Sequence, residues 1–92
     1  MALFADVKTA LRSDADEHDG EIQDLIDAAL ADLGLSGVNG DDVTDPLIKR
    51  AVTIYCRAHF DFADDSADRL LKSYEMLKSH LSLSEEYRAV VQ

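Results

Sequence analysis

Apolar residues recur along this chain at gaps of three and four, the repeat of one face of an α-helix. Leu3, Val7 and Leu11, with Phe4 and Ala10 beside them, predict a short helix over residues 2–12. Ser13 to Asp19 is a polar break. Ile22, Leu25, Ile26, Ala29, Leu30 and Leu33 then trace one amphipathic face and predict a helix over 19–33. Gly34 follows the last apolar position, where a left-handed C-terminal cap favours glycine. The stretch GLSGVNGDDVTD, with three glycines and an Asn-Gly pair, reads as a loop from Gly34 to Asp45. Pro46 suits the first turn of a third helix, with Asp45 as its N-cap. Leu47, Ile48, Ala51, Val52, Tyr55, Ala58, His59 and Phe62 carry the rhythm on. Val52 to Tyr55 also favours strand, but the longer period selects helix. Ile54 widens the apolar face, so this helix is expected to be the most buried.

The polar stretch DFADDSAD separates it from Leu70, Leu71, Tyr74, Leu77 and Leu81, which predict a fourth helix over 66–80. Their steps of four, three and four form a helix-packing seam. SLSEEYRAVVQ reads as a turn or tail, with Ser84 capping a half-turn that holds Glu85 and Glu86. The expected fold class is all-α: a small bundle of about four helices, a loop between the second and third, and a short C-terminal tail. Residues 1–92 are expected to form one domain, since a chain this short buries roughly 60–65% of its unfolded surface in a single modest core.

Charge changes the picture. The net formal charge is −10, and residues 1–45 carry all of it: twelve Asp or Glu against Lys8 and Arg12. Residues 46–92 hold seven charges of each sign. Such a surface repels nucleic-acid phosphate and anionic membrane, which argues against a conventional DNA reader. No apolar run approaches the roughly 20 residues of a membrane span. MALFADVKTALR lacks the basic-then-apolar layout of a signal peptide, which argues against export. A single cysteine, Cys56, rules out an internal disulfide framework and fits a reducing compartment.

Candidate chemistry is sparse. In SDADEHDGEIQDLIDAAL, a calcium loop starting at Asp14 would need glycine at Asp19 and a bidentate glutamate at Leu25. The acids instead suit the positive end of a helix dipole. Cys56, His59 and His80 make only a loose zinc set. GLSGVNG lacks the lysine and the preceding strand of a phosphate loop. No nucleophile motif is present, so no enzyme, metal or cofactor is expected. Asp65-Ser66-Ala67 is similar to the attachment site of acyl carrier proteins, whose serine bears a phosphopantetheine arm. Ala67 stands where leucine belongs, too little chain follows for the helices of a carrier protein, and Ser66 reads better as an N-cap.

The order of features resembles the head–tail connector proteins of tailed bacteriophages, also called head-completion or DNA-packaging proteins. The resemblance runs through ALRSDADEHDGEIQDLIDAAL, DPLIKRAVTIYCRAHFDF and DRLLKSYEMLKSHLSLSEEYR. Its strongest parts are LR-x-D, I-x-x-LIDAA, LIKRAV and SYE-x-LK-x-x-LSLS, none of them catalytic. The loop from Gly34 to Asp45 is short for this pattern and has no aromatic residue.

The resemblance implies a structural virion protein at the head–tail interface, present in the host cytoplasm during assembly. It implies a homo-oligomeric ring of about twelve subunits beneath the portal protein. The ring extends the DNA channel and offers a platform to a tail or stopper protein. DNA passes without tight binding, and no membrane is involved. Asp14, Asp16, Glu17 and Asp19 are then candidates for acidic channel surface. Arg69, Lys72 and Lys78 are candidates for a subunit interface, and Tyr87, Val90 and Val91 for a portal-binding tail. The competing readings are an acidic inhibitor or DNA mimic in a basic enzyme groove, and a carrier protein with Ser66 as its attachment site.

Overall fold

The computed structural model describes residues 2–12, 16–60 and 66–88. Among them lie four α-helices: α1 (Ala2–Ala10), α2 (Asp19–Leu35), α3 (Pro46–Phe60) and α4 (Ser66–Leu83). A 3-10 turn, Asp16–His18, leads into α2 where the sequence reads as a polar break. The described residues contain no β-strand, only an isolated antiparallel bridge between Val38 and Arg88. The all-α bundle expected from the apolar rhythm is the fold observed.

α3 is the central helix and packs against α1, α2 and α4, while α1 also packs against α2. Its buried residues are Ile48, Ala51, Val52, Ile54, Cys56 and Ala58, so the helix with the widest apolar face is the most enclosed. Leu3 and Val7 of α1, and Ile22, Ile26, Ala29 and Leu33 of α2, complete most of the core. Each large aliphatic buried this way contributes roughly 1.5–3 kcal/mol. Among the described side chains of α4, only Tyr74 and Leu81 are fully buried, with Leu70 and Leu77 half-buried against the core.

α2 ends differently from the sequence expectation. Gly34 lies inside the helix, and the left-handed residue is Gly37, at φ 84°. The Val38 amide donates to the Leu33 carbonyl at 2.9 Å and the Gly37 amide to that of Gly34 at 3.0 Å. That double closure is a Schellman motif, sealed by packing Val38 and Leu33 in the core. The apolar stripe stops at Leu33 because Leu35 points outward, not because the helix has ended. α1 closes on a left-handed Arg12, φ 58°, whose amide donates to the Thr9 carbonyl.

α3 begins as its sequence predicts. The Asp45 carboxylate accepts from the amides of Leu47 at 2.9 Å and Ile48 at 3.3 Å, with Pro46 in the first turn. α4 runs to Leu83, three residues past its expected end. Ser84 then opens a turn through its backbone carbonyl, which accepts from Tyr87 and Arg88.

Candidate functional site

Two polar nodes hold the bundle's surfaces in register. The first joins α2 to α4. Tyr74 is buried, and its phenol needs a partner there. It donates to Asp32 Oδ2 at 2.5 Å, and Lys78 Nζ donates to the same oxygen at 2.9 Å. Lys78 also reaches Glu75 at 3.1 Å and lies 5.1 Å from the Tyr74 ring centre. Burial pulls the Asp32 carboxyl upward, but the bonds from Tyr74 and Lys78 outweigh it and hold the group below its usual range. Burial and the bond to Asp32 push the Tyr74 phenol up. For Lys78, desolvation is outweighed by its two carboxylates, and the ammonium is held above its usual value.

The second node closes the segment after α4, at Tyr87 and Arg88, onto the α2–α3 loop. The Tyr87 hydroxyl donates to Asp45, 3.1 Å from Oδ1 and 3.0 Å from Oδ2. The Asn39 amide donates to the Tyr87 carbonyl at 2.7 Å, beside the Val38–Arg88 bridge. One carboxylate therefore caps the central helix and anchors the C-terminal segment. Within the loop, Asp42 accepts from the Thr44 amide and hydroxyl, which hold its carboxyl below the usual range.

Among the acidic candidates, Glu17 is exposed and Asp19 pairs with Lys8 at 2.8 Å, tying the start of α2 to α1. Asp14 and the side chain of Asp16 lie outside the described residues. Arg69 and Lys72 are exposed on α4, while Lys78 is mostly covered and paired within its own subunit. Tyr87 sits in the second node; Val90, Val91 and the side chain of Ser66 lie outside the described residues. Cys56 is fully buried, and burial pushes its thiol up to about 12, so it behaves as a small hydrophobe. His59 lies against the Tyr55 ring, and His80 is exposed on α4.

Other exterior features were absent from the sequence candidates. Leu35 on α2 and Met76 and Leu83 on α4 are large apolar side chains that are 88%, 65% and 80% exposed. Their signal was present in the sequence, because apolar residues at helical spacing on the face opposite the core stripe form a second face. A groove of about 400 Å³ also runs between α3 and α4, lined by Lys49, Arg50, Ile54, Arg57 and Leu70 among others. The arrangement offers mixed charged and apolar surface, the makings of protein–protein contact.

A search of curated proteins and one of solved structures each found no match. A family model described as phage connector protein matches residues 3–88, spanning all four helices and the C-terminal segment that closes on the loop. The chain belongs to the phage connector protein family.

Proposed function

We propose that this chain is a head–tail adaptor that assembles as a ring beneath the portal, extends the DNA channel, and presents a docking platform to a tail or stopper protein. The observation that carries this reading is membership of the connector family over residues 3–88. That membership makes the protein a structural virion component that meets other virion components. The charge distribution supports the finer reading. DNA moving through a ring must not be held, and basic surface would hold it by releasing phosphate counterions. The excess negative charge lies wholly in residues 1–45, and Asp14, Asp16, Glu17 and Asp19 are the proposed channel lining. Arg69 and Lys72 are proposed to face the neighbouring subunit. Lys78 supports that edge indirectly by fixing α4 on Asp32. The residues after Arg88, with Val90 and Val91, are proposed to reach the portal.

Negative-stain imaging of the chain mixed with portal-bearing heads tests the reading. A ring of density added below the portal supports it. Heads that stay bare, or a chain captured instead by a nuclease or repressor, overturn it in favour of an acidic mimic. Removing residues 89–92 alone should abolish attachment while keeping Tyr87 on Asp45 and the helical circular dichroism intact. Attachment that survives this truncation sinks the tail assignment.

A further inference from the structure

The outward faces of α2 and α4 match each other position for position. On α2, opposite the core stripe, Glu21, Asp24, Ala28, Ala31 and Leu35 are all exposed. On α4, Arg69, Lys72, Met76, Ser79 and Leu83 are all exposed. Both sets follow steps of three, four, three and four, the spacing of a helix-pairing seam. Laid parallel in register, acid meets base at the first two steps, small meets larger at the middle, and leucine meets leucine at the last. Three of the four exposed large hydrophobics, Leu35, Met76 and Leu83, fall on this seam.

Two further observations give the match a geometry. Asp32, near the end of α2, bonds Tyr74 and Lys78 of α4. The bridge between Val38 and Arg88 joins residues just beyond the two helix ends. α2 and α4 therefore finish at the same end of the molecule. Rotating copies about an axis along these helices sets α2 of one parallel to α4 of the next. A hollow lined by Met76, Ser79, His80 and Leu83 on α4 is placed to accept the leucine of the incoming helix.

We infer that the contact between subunits is a parallel pairing of α2 from one copy with α4 of a second copy of this chain, with Glu21 and Asp24 on Arg69 and Lys72 and Leu35 on Leu83. Neither Arg69 nor Lys72 has an ion pair among the described residues, so both charges are available. The contact is heterologous: each copy offers one α2 and one α4, the kind of contact that builds a ring when the rotation per copy closes. This inference rests on the ring reading above and specifies its interface.

Charge reversal tests it. One chain carries Glu21→Lys with Asp24→Lys, another carries Arg69→Glu with Lys72→Glu, and a third carries all four. Heads made without the chain are supplied with each, and copies per head are counted by quantitative mass spectrometry. Circular dichroism shows that each variant is folded. Each two-site variant alone should assemble roughly tenfold or more weakly than the native chain, since like charges then face each other. Mixing the two variants, or using the four-site chain, should restore assembly. Native-like assembly by the two-site variants overturns the α2–α4 pairing and leaves the ring reading standing. Folded variants that fail alone and stay unassembled when mixed also overturn it. If the native chain itself adds as one copy per head, or the seam proves to be occupied by portal, the ring contact described here is overturned.

Discussion

Replacing Tyr74 with phenylalanine removes one oxygen and leaves the buried ring in place. That oxygen donates to Asp32 at 2.5 Å across the gap between α2 and α4. A hydrogen bond to a charged group contributes about 1.5–3 kcal/mol. The Asp32 side chain is 35% exposed, so water replaces part of the lost bond. Lys78, at 2.9 Å, keeps the carboxylate ionised. The expected loss is therefore about 1–2 kcal/mol at neutral pH. For a domain of this size that lowers the melting temperature by roughly 5–15 °C. In urea, with a slope of about 1 kcal/mol per molar, the midpoint falls by about 1–2 M.

Acidity gives a second test of the same bond. The folded Asp32 carboxyl lies below its ordinary value of 3.8. A depressed carboxyl contributes stability that is complete above the unfolded value and fades as pH falls towards the folded one. The gap between native chain and Tyr74→Phe should then be constant at neutral pH and narrow below about pH 4. Urea titrations at several pH values measure this directly. In an Asp32→Ala background the phenol has lost its acceptor, and Tyr74→Phe should be neutral or stabilising. A loss under about 0.5 kcal/mol, or the same loss with Asp32 absent, would show that the phenol does not act through this carboxylate.

Asp45→Ala should cost about 0.5–2 kcal/mol as a lost cap, and also release Tyr87, so that trypsin cuts after Arg88 faster. Asp45→Asn keeps most of the cap; unchanged proteolysis in Asp45→Ala would separate the cap from the anchor. Gly34→Ala should stabilise by up to about 1 kcal/mol, because Gly34 is helical with open space around its Cβ direction. Gly37→Ala should instead cost about 1 kcal/mol or more, since its φ is 84°; thermal melts that reverse this order reject the assigned helix end. Cys56 should resist a thiol reagent at pH 8 until the chain opens, its thiol being buried and pushed up to about 12. Prompt labelling of the native protein would contradict its place in the core.

The helices were legible because burial is periodic. Ile22, Ile26, Ala29 and Leu33 repeat at helical spacing and are all enclosed. Asp45 and Pro46 carry their meaning locally, and the cap forms as read. The end of α2 was not legible, because Gly34 and Gly37 both suit a cap and only the tertiary seat of Val38 distinguishes them. Neither polar node could be seen, because each joins residues 42 or 46 positions apart. Lys78 read as an outward charge, yet its ammonium lies 5.1 Å from the centre of the Tyr74 ring and meets Asp32. A clue did exist: a tyrosine inside an apolar stripe requires an acceptor from a neighbouring helix. The outward stripes of α2 and α4 were equally present in the sequence, but their mutual fit needs the common direction that the fold supplies.

The shared carboxylate of Asp45 makes the molecule mechanically coupled. A load applied to residues beyond Arg88 is borne first by one bridge and one phenol, then by the opening turn of the central helix. Pulling there therefore strains the element around which everything else is packed. A grip there would be firm only on a copy whose middle helix is already seated.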